Sequence, residues 1–521
     1  MCIWSAFSSM LSSSHSLLAR RLLQRFAVAW DRQGAVLDHV DRVLVPTSLG
    51  GLEGNAASDD LPAVLTQTAT DGAGASKAMK PRLSEVLFPV AADRVTPVEL
   101  AAVFLLGSVA AFFRLGDVAA RGNIWAEDGI IFLQTALRHP WTATVFEPYA
   151  GYMHLVPRTL STLVTYLPLR DQGAALDLSA ALVQASVATL AYVGTSGFIR
   201  QRLWRAIVAL CVVAVPVGPD AIEAIANLHW FLIFGGCICL VWTPRKPLGW
   251  GVLFGVLLIT TLSSPFAVVL LGGALVRLLV QRSRAAVVLA GVVATGFAIQ
   301  TTVMVMAPPR TGINTFGVDL APARFIAGFV RRVLGDAVFG VGRHTISRPA
   351  PGLQAGVVVV VLVAVLVICL STSDGFPVLA RAGLFGTLAI LTYSVPVVAT
   401  PALTTEDPFS GGRYYLAPAL LTIVAIMCLI QGVSDLRRRR SVRLGWLAVA
   451  VCGALAVSLL WGVESSWTVG KVWGRQDGPS WQASIDQGRR ACAASSANVD
   501  ATVPISPQGW TMSIPCALLR G

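Results

Sequence analysis

Residues 228–242 read LHWFLIFGGCICLVW, with no Asp, Glu, Lys or Arg among them. Apolar side chains occupy every face of a helix drawn through this run, so no polar stripe is left for water. The pattern does not alternate, which argues against a strand with one wet face. Working outward, similar runs rich in Ala, Val, Leu and Gly cover 204–217, 249–263, 265–281 and 285–306. Further runs lie at 97–115 and 174–196 on the N-terminal side, and at 355–371, 380–400, 413–432 and 443–462 on the C-terminal side. The fold class this predicts is all-α: a polytopic transmembrane helical bundle of about eleven spans, several of them short.

Composition points the same way. The chain of 521 residues is 55% hydrophobic and 13% charged, against about 25% charged for a soluble protein. Its mean hydropathy is +0.68, and a bilayer is the solvent that suits such a surface. Continuous runs exclude the alternating signature of an outer-membrane barrel. The net charge of +12 raises a nucleic-acid partner. That class is rejected, because the basic residues cluster between apolar runs, as the positive-inside pattern requires. The clusters are Arg200, Arg202 and Arg205; Arg245 and Lys246; Arg282 and Arg284; and Arg437 to Arg440 with Arg443. They fall on one side of the predicted bundle, which is then cytoplasmic. The expectation is a multi-pass inner (plasma) membrane protein with its N-terminus inside and its C-terminus outside. The nine Cys contain no CxxC and no metal-ligand spacing with His. Most sit within apolar runs, where Cys behaves as a small hydrophobe.

Three regions follow. Residues 1–95 hold the Ser- and Arg-rich stretch Met1 to Asp41 and the Gly/Ala/Ser/Thr/Asp-rich stretch Ser48 to Lys80. This reads as a largely disordered cytoplasmic extension, with a mis-assigned start or a transit peptide as the alternatives. Residues 96–462 form the transmembrane domain. Residues 463–521 form an outer tail, whose oxidising surroundings predict a disulfide between Cys492 and Cys516 rather than two free thiols. Two long segments share the outer side, Gly116 to Gly173 and Ala307 to Gln354.

Candidate chemistry gathers on that side. Trp125-Ala126-Glu127-Asp128-Gly129 precedes a helix-like run at 130–137. Its two carboxylates suit either a helix cap or a base that deprotonates an acceptor hydroxyl. Further along, Glu147, Tyr149, Tyr152, His154 and Arg158 stand close together. They read either as interfacial belt residues or as a polar groove lined by rings on which sugars stack. The stretch 153–168 reads as an interfacial or re-entrant helix, since a crossing there would put the Arg200 cluster outside. Asp220, Glu223, Asn227, His229 and Trp230 form a third group. Glu223 and Asn227, four apart, would share a helix face, either pointing into a cavity or capping and anchoring the helix. The fourth group runs from Thr404 to Tyr415, and Arg413 opens a helix there on the outer side. That guanidinium suits a lipid-linked phosphate; the alternatives are pairing with Glu406 or Asp407, or snorkelling to headgroups. Arg310, Arg331, Arg332 and Arg343 are further phosphate partners or plain surface charges. No phosphate-binding Gly-Lys loop, nucleophile elbow or metal-ligand set is present. The four-arginine run is a topology signal that also attracts anionic lipid.

Over residues 97–435 this pattern resembles the GT-C superfamily of membrane glycosyltransferases, which use polyprenyl-phosphate sugars. It looks closest to actinobacterial GT-C-like membrane proteins with a W-x-E-D-G loop and a G-R-Y-Y-like helix start. The long N-terminal extension and the small outer tail depart from that pattern. The resemblance implies an acidic catalytic residue in the first outer loop and a second large outer loop after the seventh span. Carried over, Asp128 is the base and Glu127 its neighbour. Arg413, with Tyr414, contacts the donor phosphate. Trp125, Tyr152, His154, Arg158, Glu223, Asn227, His229 and Arg310 complete the expected substrate contacts. The implied partners are a polyprenyl-phosphate-linked sugar and a glycan, lipid or protein acceptor of the cell envelope. No cofactor is expected, and a divalent metal requirement stays open. Adjacent carboxylates do not supply the spaced pair of a retaining mechanism, which favours inversion. A transporter or flippase of lipid-linked sugars, a polysaccharide polymerase or ligase, and a non-catalytic assembly subunit are the competing readings. Acids gathered in outer loops, with no visible inverted repeat, favour the enzyme over the transporter.

Overall fold

The computed structural model describes residues 82–91, 95–114, 121–217, 221–307, 322–340, 375–399, 412–439, 442–467, 475, 478–494 and 500–520, with scattered positions between 356 and 370. The chain is mostly helical. In order come α1 (Leu83–Leu87), α2 (Pro97–Phe112), a π-turn (Asp128–Leu133) running into α3 (Gln134–Arg138), α4 (Trp141–Phe146) and α5 (Leu155–Val164). Next are α6 (Gln172–Gly194), α7 (Arg202–Val213), α8 (Leu228–Val241), α9 (Pro247–Ser263), α10 (Ala267–Gln281) and α11 (Arg284–Met306). After α12 (Pro322–Gly328), a second π-turn (Phe329–Gly335) and α13 (Asp336–Phe339) come α14 (Gly375–Ala399), α15 (Leu416–Arg439) and α16 (Val442–Trp467). The tail holds α17 (Trp481–Ala494), the antiparallel strands β1 (Asp500–Ile505) and β2 (Trp510–Pro515), and α18 (Cys516–Arg520).

The predicted apolar runs from 97 to 306 and from 380 to 462 are all helical, with ends moved by a few residues. Local signals set some of those ends. Thr96 and Glu99 cap α2 reciprocally, and Pro97 sits at its first position, where no N–H is needed. Ser283 caps α11 through the Ala286 N–H. Among the described residues, four helices are long and apolar enough to cross a membrane: Leu169–Gly194, Arg284–Met306, Gly375–Val398 and Gly412–Asp435. Pro97–Phe112 and Ala267–Gln281 are shorter; at 1.5 Å per residue they reach less than the roughly 30 Å of a hydrocarbon core. The span expected at 355–371 lies mostly outside the described residues.

The bundle has a centre and a periphery. Every residue of α8 is buried, against α6, α9, α10 and α15. Outer helices instead expose apolar side chains, among them Leu106 and Val109 on α2, Val287 and Met306 on α11, and Phe376 on α14. Polar groups mark both ends. At one end Arg277 donates to the Leu240 and Trp242 carbonyls (2.8 and 2.9 Å), closing the C-terminus of α8. At the other, Arg114 donates to the Val213 and Val215 carbonyls (3.1 and 2.6 Å) and so closes α7.

Two expectations change. The N-terminal extension is not disordered throughout. Val86 and Phe88 are buried, α1 packs on α10 and α14, Val90 pairs with Thr243, and Arg381 donates to the Val86 carbonyl. This segment belongs to the bundle, because its two buried apolar side chains pack against it; residues 1–81 lie outside the described residues. The tail is not helical alone, since it folds as a hairpin with flanking helices. Cys492 and Cys516 are disulfide-bonded with Cα atoms 5.6 Å apart, as the tail's composition predicts. The stretch 153–168 contains the ten-residue α5, too short to cross a bilayer.

One glycine pair seats the first loop on α6. Gly122 adopts φ +82°, open to glycine at little cost, and its N–H donates to Asp177 at 2.6 Å. A Cβ at Gly173 would run into the Gly122 carbonyl. Gly173→Ala is therefore expected to cost about 1–3 kcal/mol by overpacking against backbone. A thermal midpoint indistinguishable from wild type would contradict this seating.

Candidate functional site

Asp128 anchors the site. It opens the π-turn that follows Trp125 and is 2% exposed. Neither it nor Glu127 caps its own helix, so the capping reading is corrected. Its two oxygens instead accept the N–H groups of Ile225 (3.0 Å) and Ala226 (2.8 Å), nearly a hundred residues away. Burial pushes the Asp128 carboxyl up to about 7, against the opposing pull of the Ala226 amide and the Arg475 charge. Glu127 is half-buried and is the more accessible carboxylate.

The partner segment is itself unusual. Glu223 is 1% exposed and sits at φ +50°, while Asn227 ends a 3-10 turn (Ile225–Asn227). The shared helix face expected for Glu223 and Asn227 is therefore absent, because the chain kinks between them. Glu223 lies within electrostatic range of Arg114. His229 places Nδ1 3.0 Å from the Ala226 carbonyl, so the residue that binds Asp128 also orients this imidazole.

Around His229 the aromatic side chains pack in tilted and edge-to-face pairs. Tyr152 and His154 have centroids 4.1 Å apart, and His154 and His229 5.7 Å. His154 is buried, as is Arg158; Tyr149 and Tyr152 are half-buried. The two His rings take the interior positions, while Glu147 is exposed. Arg158 lies 5.2 Å over the Phe132 ring, donates to the Ile131 carbonyl (3.1 Å) and sits 3.8 Å from Glu147. The turn at Met153 is held by Gln300 of α11, which bonds both its N–H and its carbonyl.

Residues 412–415 complete this face. The Trp230 and Tyr414 rings meet edge to face with centroids 4.9 Å apart, and the charge of Arg413 acts on His229. Asp128, Ala226, His229, Trp230 and Tyr414 thus form a continuous series. Arg332 lies 4.6 Å over Tyr415 and 3.7 Å from Asp336, so it is a packed charge. Arg310, Arg343, Asp220, Glu406 and Asp407 lie outside the described residues. Among the described residues, no group of three or more His, Cys, Asp and Glu is placed to hold a metal.

Sequence reasoning missed two residues. Asp177 and Arg475 are both buried and paired at 2.5 Å. Arg475 also donates to the Ile222 (3.0 Å) and Glu223 (3.1 Å) carbonyls and lies 5.6 Å from the Trp125 ring centre. An acid inside an apolar run was the available signal for Asp177; nothing around Arg475 in the sequence announced it. Comparison with family models, with curated proteins and with solved structures finds no match.

Proposed function

We propose that the chain is a multi-pass membrane glycosyltransferase, similar to the GT-C superfamily, that transfers a sugar from a polyprenyl-phosphate donor to a cell-envelope acceptor. The observation that carries the reading is the series from Asp128 through Ala226, His229 and Trp230 to Tyr414, beside Arg413. It joins the first-loop carboxylates to the basic helix start at one end of an apolar bundle. The apolar side chains exposed on α2, α11 and α14 favour lipid around that bundle. We place this end outside and the Arg- and Lys-rich end in the cytoplasm, with the shorter apolar helices also crossing, to about eleven passes.

In this reading the acceptor oxygen attacks the anomeric carbon and the bond to the phosphate oxygen breaks. The electron pair leaves with the phosphate, whose charge Arg413 offsets. A base must come within hydrogen-bond reach of the hydroxyl. Glu127 meets that condition better than Asp128, whose two oxygens are held by amides. We therefore assign the proton to Glu127 and the positioning of the loop to Asp128, reversing the order implied by the resemblance. The test compares Glu127→Gln and Asp128→Asn strains for envelope glycans and lipid-linked sugars. Loss of a glycan with a lipid-linked sugar accumulating on the outer leaflet is the expected result. Accumulation on the inner leaflet would indicate flipping instead, and wild-type glycans in both strains would sink the reading.

A further inference from the structure

The tail departs from the pattern of the resemblance, yet it reaches the middle of the candidate site. Its hydrophobic centre, including Ile485, Val503, Ile514 and Leu519, is fully buried, and the Cys492–Cys516 bond ties α17 to α18 across it. From this small body several contacts run to the first loop. Trp125 pairs with Ser506 as in a parallel sheet. The Ala126 N–H donates to the Ser506 carbonyl (2.5 Å), and the Ser506 N–H donates to the Ile124 carbonyl (3.0 Å). The Ser513 N–H donates to Gln134 at 2.7 Å, and Arg138 pairs with Asp500.

Arg475 ties the same parts from below. Its guanidinium joins Asp177 of α6 to the carbonyls of Ile222 and Glu223. Its own carbonyl accepts from Asn123 (3.4 Å) and Ser506 (3.3 Å). The two segments that meet at Asp128 are thus both held by the tail. Each contains a non-glycine residue in the left-handed region, Ala126 at φ +34° and Glu223 at φ +50°. Such backbone persists where its surroundings over-determine it. Here the determining contacts fall on those residues: the Ala126 N–H and the Glu223 carbonyl.

We infer that the disulfide-closed tail is a clamp that positions the Glu127–Asp128 loop against residues 222–226, with Arg475 as its positioning residue. The clamp is read from geometry alone; its bearing on sugar transfer rests on the function proposed above. Without it, Ala126 and Glu223 relax and the Asp128 tie to Ile225 and Ala226 opens. An arginine is needed because three acceptors are served from one planar fork, which a lysine ammonium does not match.

Amide hydrogen exchange on the purified full-length chain tests this, with peptides covering 122–133 and 221–228. Arg475→Gln is expected to speed exchange in both by about tenfold or more, while α8 and α11 stay protected. Arg475→Lys should restore part of the protection. Should the glutamine variant fail to fold, reducing the disulfide of the wild-type chain should raise exchange in the same peptides. Unchanged exchange at 122–133 after either treatment overturns the clamp. Turnover gives a readout that a merely structural role would not move: kcat should fall in Arg475→Lys while KM for the lipid-linked donor holds. An equal loss of both would overturn the positioning role. Failure of the proposed function is separable, because wild-type glycans in both Glu127→Gln and Asp128→Asn would remove it and leave the exchange result standing.

Discussion

Asp177→Ala is expected to destabilise the chain by about 3–5 kcal/mol, the usual cost of leaving a buried charge without its partner. Arg475 is 5% exposed, so water cannot replace the lost carboxylate. The substitution also removes the acceptor of the Gly122 N–H, and a stranded buried donor adds its own desolvation cost. Asp177→Asn separates the two effects. Its amide oxygen still accepts from Gly122, whereas the charge facing Arg475 is gone, so an intermediate loss is expected. Thermal unfolding of the detergent-purified protein measures both. If the alanine and asparagine variants melt together near wild type, the ion pair is not holding the loop to α6. Replacing Asp177 and Arg475 together by apolar residues should recover part of the loss, because the uncompensated charge then disappears.

The helices were legible for a simple reason. A run such as 228–242 is apolar on all faces, and that property belongs to the segment itself. The start of α2 was equally local, written in Thr96, Pro97 and Glu99. The disulfide was legible because the tail holds only Cys492 and Cys516. What could not be read was pairing across the chain. Asp128 with Ala226, Trp125 with Ser506, and Asp177 with Arg475 are 98, 381 and 298 residues apart. Spacing carries no information at such separations. The capping expectation for Asp128 shows the resulting bias, since the nearest amides were assumed to be its partners. The centrality of α8 was hidden too, because the peripheral and the core helices share one apolar composition. At residues 82–91, the burial of Val86 and Phe88 depends on α10 and α14, which lie far along the chain.

The stability of the wild-type chain is expected to carry a pH-dependent contribution from Asp128 that disappears in Asp128→Asn. In the folded chain this carboxyl holds its proton up to about 7, whereas in the unfolded chain it releases it near 3.8. Between those values the folded state binds more protons, so stability falls as pH rises. The contribution is fully present below about pH 4 and is lost through pH 7. The difference of roughly three pH units sets a ceiling of about 4 kcal/mol. Asparagine titrates nowhere in this range, and its cost is a flat penalty of about 1–3 kcal/mol for turning an amide toward a backbone N–H. From pH 4.5 to 8 the wild-type melting curve should therefore fall relative to that of Asp128→Asn, by up to about 4 kcal/mol in stability, and parallel curves would contradict the assignment. The neighbouring charges give a second check. Glu127 raises the Asp128 value and Arg475 lowers it. Glu127→Gln should move the midpoint of the wild-type slope to lower pH. A downward shift in Glu127→Gln would tie the titration to the carboxylate beside it, Asp128.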